Sequence, residues 1–158
     1  MELSDEQAAK YLHRCYTAAD GLWFMKVEER YGFDAALEVD NEVWKVLPKL
    51  QARTLKSMLG AHRGKDALLT CLTAKLSLEG FEFEVEEHTR GFRITISRCP
   101  WHSLMVKSGR EGLSKEVGTL ICNTEHKVWA SEFDEEVRFE LKSQICGGDG
   151  VCTLEFSG

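Results

Sequence analysis

The sequence predicts an α+β fold, with a helical N-terminal half packed on a roughly four-stranded antiparallel sheet and two further helices between its hairpins. Two observations support this prediction. Apolar residues recur at every third or fourth position as far as Leu78, and in four later segments, the first beginning at Phe81, their period is two. Glycine and proline stand where elements should end, and no repeat or linker divides the chain. We therefore expect one domain over residues 1–158.

The helices of the first half are predicted from their caps and from the spacing of apolar residues. Ser4 and Gln7 form a capping box, so the first helix should begin at Asp5. Further helices are predicted over 22–31, from Asp34 to a kink or break at Pro48, from there to Met58, and over 65–78. Cys15 and Cys71 lie on amphipathic helices, and we expect both to pack in the interior.

Four segments with alternating apolar and polar residues predict two β-hairpins. The predicted strands are 81–86, 92–97, 137–142 and 152–156. The first pair is joined by a turn at 88–91, and the second pair by the sequence CGGDGVC (146–152). Between the hairpins, helices are expected over 101–109 and 114–129.

The net charge of −6 argues against two classes of partner. A nucleic-acid-binding protein usually has a basic patch that displaces counterions from phosphate, whereas the lysines and arginines here are interleaved with acids. An anionic membrane surface is disfavoured for the same reason. No apolar run approaches the roughly 20 residues of a membrane span, and the acidic N-terminus lacks the apolar core of a signal peptide. We expect a cytoplasmic protein.

Four cysteines of the second half are candidate metal ligands: Cys99, Cys122, Cys146 and Cys152. They lie at a strand end, on a helix and on both sides of a hairpin turn, and these elements could converge at one end of the sheet. Four thiolates in a tetrahedral array suit a structural zinc ion, and the same set could hold an iron–sulfur cluster. Because no C-x-x-C pair is present, two alternatives stay open: free thiols without a cofactor, or a Cys146–Cys152 disulfide, which a cytoplasmic compartment disfavours.

Three side chains near these cysteines are candidate ligands or catalytic groups. His102 lies three residues after Cys99. Glu125 and His126 follow Cys122 by about one helical turn. Each could act as a ligand or as a general acid or base, and the alternatives are a structural histidine and a solvent-facing helix surface. No nucleophile or phosphate-binding motif is present, and the glycines of CGGDGVC are interpreted as a turn.

Short stretches distributed over nearly the whole chain point to a known family. They are DGLWF (20–24), VEERYG (27–32), AAL (35–37), VW (43–44), RCPW (98–101), SGR (108–110), ICNTE (121–125), VWASEF (128–133) and CTLEF (152–156). With them the sequence resembles a family of small, mostly uncharacterised prokaryotic proteins similar to L-2-amino-thiazoline-4-carboxylate hydrolases. The resemblance implies an enzyme that opens a cyclic amidine ring, taking a thiazoline to an S-carbamoyl-cysteine. It assigns no catalytic residue.

The last hairpin is similar, more distantly, to the vinyl-reductase-type ligand-binding domain. Some members of that group place a small-molecule pocket beside a cysteine-rich zinc site. This similarity implies Cys122, Cys146 and Cys152 as zinc ligands. Ser143 stands where that pattern tends to have a glutamate, and Cys99 could supply the fourth ligand.

Three functions are compatible with these patterns. The first, which we favour, is a zinc-bearing domain that binds a small molecule in a sensory or accessory role. The second is a hydrolase of a small cyclic C–N substrate, in which a metal with an open position activates water. The third is a structural or partner-binding protein without metal. The sequence is compatible with a homodimer and does not specify the oligomeric state.

Overall fold

The computed structural model describes residues 2–158, which form six α-helices, a short 3₁₀ turn (Ile145–Gly147) and one four-stranded antiparallel sheet. This confirms the predicted α+β class. Contacts divide the chain into two compact units, Met1–Glu42 and Val43–Gly158. The single domain over residues 1–158 stays a prediction. In the described part of the chain, no helix is both long and apolar enough to cross a membrane.

The chain begins with a long helix, α1 (Asp5–Tyr31), in the first unit, followed by a shorter one, α2 (Phe33–Trp44), whose last two residues are counted in the second unit. The predicted capping box is confirmed, because the Gln7 N–H donates to Ser4 Oγ at 3.2 Å and the Ser4 N–H donates to Gln7 Oε1 at 2.9 Å. The predicted break before residue 22 is wrong. A single glycine, Gly21, costs a helix only about 1 kcal/mol, and α1 continues through it. Gly32, at φ +89°, ends α1, and Asp34 lies in the first turn of α2.

The second unit contains four helices: α3 (Leu47–Leu59), α4 (Lys65–Leu78), α5 (Pro100–Lys107) and α6 (Glu111–Phe133). Pro48 divides the predicted helix, because proline lacks the N–H that a helix interior needs but is tolerated in a first turn. For the same reason α5 begins at Pro100, before its predicted start. α6 is longer at both ends than predicted, because Gly112 and Ser131 weaken the apolar period without breaking the helix.

The four strands are β1 (Glu82–His88), β2 (Gly91–Arg98), β3 (Arg138–Ser143) and β4 (Cys152–Ser157). Their spatial order is β1-β2-β4-β3, so β4 lies between β2 of the first hairpin and β3 of the second and pairs with both. Leu154 pairs with Ile94 on one side and with Leu141 on the other. The first turn is shorter than predicted, because His88 and Gly91 belong to the ladder and pair with each other.

The core of the second unit lies on one face of this sheet. Side chains of β2 and β4 pack against α4 and α6, and α3 completes the layer. The largest side chains that are almost fully buried are Trp129, Phe92, Phe133, Phe156, Leu68, Leu72, Leu76, Ile94 and Leu154. Phe92 and Phe156 stack with their ring centroids 4.9 Å apart. Thus α3 and α4, which belong to the predicted helical half, pack on the sheet.

We predict that Phe156→Ala destabilises the protein by about 3–5 kcal/mol, because it leaves a cavity next to the Phe92 ring in the core. Chemical denaturation measures the free energy of unfolding. Val106→Ala is the control, because Val106 is exposed on α5, and it should change the stability by less than about 0.5 kcal/mol. Equal effects of the two substitutions would contradict the placement of the core.

Candidate cysteine cluster

The four candidate ligands lie on different elements that meet at one end of the sheet. Cys152 is the first residue of β4 and pairs with Ile96, close to the point where β2 ends. Cys99 follows directly after β2, at the start of α5. Cys146 lies in the 3₁₀ turn before β4, and Cys122 lies on α6. The antiparallel pairing of β2 with β4 therefore brings residues far apart in sequence to the same place.

The four sulfurs are close enough to raise one another's pKa. Burial raises the pKa of Cys122 well above its usual value, and the charges of Glu125 and of the other three thiols raise it further. Burial, with a contribution from Cys152, raises the pKa of Cys99 to about 11. Burial also raises the pKa of Cys146, to which Cys99 adds, and that of Cys152, to which Cys146 adds. We call Cys99, Cys122, Cys146 and Cys152 the cysteine cluster.

Backbone N–H groups oppose this rise at three of the four sulfurs. The Ile145 N–H donates to Cys152 Sγ at 3.2 Å. The N–H of His102 lowers the pKa of Cys99, and the N–H of Cys146 lowers that of its own thiol. A peptide N–H directed at sulfur stabilises the thiolate over the thiol. These three cysteines therefore have part of the surroundings that a thiolate ligand needs.

The CGGDGVC segment is a turn, as expected, and specific contacts hold it against α6. The Gln144 N–H donates to Asp149 Oδ2 at 2.8 Å, and Thr119 Oγ1 donates to Gln144 Oε1 at 2.8 Å. Gly118 provides space for the Cys146 thiol, because a Cβ at position 118 would lie 2.6 Å from Cys146 Sγ. The absence of a side chain at 118 thus allows this thiol to approach α6 closely.

The donor set of the cysteine cluster suits a soft metal ion, but its present arrangement is not a ready-made site. Within residues 2–158, no three His, Cys, Asp or Glu side chains are arranged to hold a metal ion. All four cysteines, including Cys146 and Cys152 of the turn, are free thiols. Thiolate sulfur is the ligand type that zinc and iron–sulfur clusters select. To bind zinc, the thiols would have to lose their protons and turn toward a common point, so the metal site stays a prediction.

A buried ion cluster lies next to the cysteine cluster, and sequence reasoning missed it. Lys75 on α4 forms ion pairs with Glu125 on α6 and with Glu79 Oε2, the latter at 3.0 Å, and all three side chains are buried. Burial alone would lower the pKa of Lys75, but the two carboxylates raise it. Burial raises the pKa of Glu79, whereas at Glu125 the Lys75 charge overcomes burial and lowers the pKa. One ammonium thus neutralises two carboxylates only in part.

The two clusters influence each other electrostatically. Glu125 raises the pKa of Cys122, and Lys75 lowers that of Cys99. The sequence did contain a sign of the ion cluster. Lys75 continues the spacing of Leu68 and Leu72 on the apolar face of α4, and Glu125 lies one turn after the buried Ile121 on α6. Opposite charges at core positions of two helices indicate a buried pair.

Glu125 and His126, two of the candidate catalytic residues, are buried rather than on a solvent-facing helix surface. Glu125 is held by Lys75. His126 Nδ1 lies 2.7 Å from the Cys122 carbonyl oxygen, and the ring stacks on Phe139 with the centroids 5.0 Å apart. Burial lowers the pKa of His126, which favours the neutral ring. Its Nε2 is buried without a hydrogen-bond partner among residues 2–158.

His102, the third candidate, takes part in a short hydrogen-bonded chain. Its Nδ1 lies 2.7 Å from the hydroxyl oxygen of the buried Ser114 on α6. The Ser114 hydroxyl also hydrogen-bonds the Cys146 sulfur and lowers the pKa of that thiol. The His102 side chain is therefore linked to the cysteine cluster through Ser114, a residue that sequence reasoning did not single out. Catalytic roles for His102, Glu125 and His126 stay predictions.

The two remaining cysteines lie outside the cluster and differ in burial. Cys71 on α4 is buried, as expected. The same expectation for Cys15 is wrong, because Cys15 is exposed on α1. Apolar spacing identifies one face of a helix but does not say whether anything covers that face.

Residues 2–152 match the model of a family described as a family of unknown function (DUF6125). The match covers nearly the whole chain, and the protein belongs to this family. No curated protein and no solved structure matches the chain. The resemblances to the thiazoline hydrolase-like family and to the vinyl-reductase-type domain stay predictions.

We predict that Lys75→Met destabilises the protein by about 3–5 kcal/mol at pH 8, because it leaves two buried carboxylates without a counter-charge. Without Lys75, the pKa values of Glu79 and Glu125 in the folded state should both exceed their unfolded values. The loss of stability should then shrink as the pH falls through those raised values, because the carboxyls become neutral. Urea unfolding at pH 8 and pH 5 measures this. The control is Lys26→Met, in an exposed pair with Glu29, which should change little at either pH.

Gly118→Ala should destabilise the protein by about 1–3 kcal/mol, because the new Cβ displaces the Cys146 thiol. The matched control is Gly112→Ala in the same helix, where nothing lies within 4 Å of the new methyl group. Gly112→Ala should leave the protein equally stable or slightly more stable, because alanine favours the helix. Thermal unfolding compares the two variants. A stabilised Gly118→Ala protein would contradict the close approach of Cys146 to α6.

Proposed function

We propose that this member of the DUF6125 family is a zinc-binding domain in which Cys99, Cys122, Cys146 and Cys152 are the four ligands. The observation that supports the proposal best is the meeting of four thiols from β4, α6, the 3₁₀ turn and the start of α5. Burial, and after it the neighbouring thiols, raise the pKa values of all four cysteines, so the thiols stay protonated unless a bound cation neutralises the thiolates.

A zinc ion with four thiolate ligands would act as a structural cross-link. Such sites are tetrahedral and closed, and their binding free energy adds to the stability of the fold. Here the four zinc–sulfur bonds would connect the ends of β2 and β4 with α6. The backbone N–H groups at Cys99, Cys146 and Cys152 would stabilise the bound thiolates, as outer-shell groups do at other metal sites.

The proposal extends to a sensory or accessory domain that binds a small molecule. The resemblance of the last hairpin to the vinyl-reductase-type domain is the support for this extension. The hydrolase alternative has weaker support from the residues present. Glu125 is held by Lys75, and both Glu125 and His126 are buried, so neither group faces solvent in this arrangement. The His126 Nε2 atom has no hydrogen-bond partner among residues 2–158, but the ring is stacked on Phe139. Four zinc ligands would also leave no position for water.

The test is the metal content of protein purified anaerobically without a tag, a chelator or added metal. We expect about one zinc per chain and no visible colour. Cys99→Ser, Cys122→Ser, Cys146→Ser and Cys152→Ser should each lower the zinc content and the thermal stability. Replacing zinc by cobalt(II) reports the ligands directly, because thiolate-to-cobalt absorption weakens with each sulfur lost.

Two substitutions serve as controls. Cys15→Ser changes an exposed thiol and should leave both metal content and stability unchanged. Cys71→Ser changes a buried thiol on α4 and should lower stability without lowering the zinc content of the folded protein. If iron and sulfide are found instead of zinc, the same cysteines hold an iron–sulfur cluster, and the zinc assignment is wrong. Protein without metal, with six titratable thiols, would refute the proposal and leave the structural, metal-free alternative.

A further inference from the structure

One face of α1 is apolar and exposed along most of the helix. Its apolar residues are Ala8, Leu12, Cys15, Ala19 and Leu22, and the charged Lys26 ends it; we call these six residues the α1 seam. The spacings of four, three, four, three and four residues are those of a coiled-coil seam. Leu12 is 64% exposed and Leu22 56% exposed, and Tyr11 and Trp23 beside them are 62% and 61% exposed.

The first unit has very little core of its own. Among residues 2–42, only Ala36 and Leu37 are buried, and α1 contains no buried residue over its 27 positions. On the opposite side of α1, Phe24 packs edge-on against Phe33, with the ring centroids 5.9 Å apart. Chain segments of this size usually need oligomerisation, a metal or disulfides to be stable. An uncovered leucine and tryptophan face indicates a missing partner.

We propose that α1 is a homodimer interface, in which the α1 seam pairs in antiparallel orientation with the α1 seam of a second copy of this chain. The inner part of the seam has a size pattern centred on residue 17, because Leu12 and Leu22 are equidistant from it and so are the smaller Cys15 and Ala19. In an antiparallel pair centred there, Leu12 lies opposite Leu22 of the second copy and Cys15 opposite Ala19. Two large side chains therefore flank two small ones, which lets the helices approach closely at the centre and interlock at both ends.

Charge favours the antiparallel orientation over the parallel one. A parallel pair places Lys26 beside Lys26 of the second copy at a seam position, where the like charges repel. In the antiparallel pair Lys26 lies opposite Ala8, so its aliphatic stem can cover the small side chain while the ammonium reaches water. The antiparallel pair also sets each helix N-terminus beside the C-terminus of its partner, which suits the two helix dipoles.

The exposed area is adequate for a dimer. An aromatic side chain can bury about 150–250 Å², so Tyr11 and Trp23 at their present exposure offer roughly 250 Å² per chain. A standard interface buries about 800 Å² per partner. The two aromatic residues would supply about a third of it, with the leucines and the length of a 27-residue helix supplying the remainder.

Sedimentation equilibrium tests the oligomeric state of the full-length protein. We expect a dimer at micromolar concentration. Leu22→Lys should raise the dissociation constant roughly 30-fold or more, because it removes a leucine that the dimer would bury and inserts a charge at the interface. The matched control is Met58→Lys on α3, which is 75% exposed and outside α1, and it should leave the dimer unchanged. A monomer at every concentration, or an equal rise of the dissociation constant in both variants, would overturn the proposal. The α1 seam would then have to be covered by a partner other than a second copy.

Disulfide trapping in a glutathione redox buffer tests the orientation. The natural chain, with Cys15, is mixed with the double variant Cys15→Ser/Ala19→Cys. An antiparallel seam should give a mixed disulfide between Cys15 of one chain and position 19 of the other, identified by peptide mass spectrometry. The control is Cys15→Ser/Lys10→Cys, whose thiol is exposed on α1 but off the seam, and it should not be trapped. A Cys15–Cys15 disulfide in the natural chain alone would indicate a parallel pair and overturn the orientation.

Discussion

The antiparallel pairing of β2 with β4 is the contact on which the second unit depends. Each hairpin alone would present an apolar face that two strands cannot bury. Joining them through β4 makes one sheet, whose inner side chains, among them Phe92 and Phe156, form the floor for α4 and α6. The same register sets Cys152 opposite Ile96 and so determines which thiols can meet. Core and cysteine cluster are thus two results of one pairing.

The interior of this unit contains two groups of polar side chains, and each group connects different elements. Lys75 on α4, which also pairs with Glu79 at the end of the same helix, joins α4 to α6 through its ion pair with Glu125. The cysteine cluster lies beside them and joins α6 to the sheet end and to the last turn. Both groups attach to α6, which makes this helix the connection between the helical layer and the strands.

Much of the fold could be predicted from periodicity, caps and breakers, because these are local properties. The capping box at Ser4, the break at Pro48 and the four strands were all visible in that way. The order of the strands was not predictable, because nothing local specifies that β4 enters between β2 and β3. The expectation that the four cysteines meet came from three of them at element ends and from Cys122 within a helix. The part played by Gly118 and Ser114 was not predictable, because it depends on packing between α6 and the turn.

The central position of β4 has a consequence for synthesis on the ribosome. β2 and the helices before it leave the exit tunnel well ahead of residues 152–157, so the edge of β2 that β4 later occupies is uncovered during that interval. Its apolar face, with Phe92, Ile94 and Ile96, could pair with strands of other nascent chains. A slow stretch of translation between β3 and β4 would lengthen this interval, and a chaperone that shields extended apolar segments would shorten the exposure.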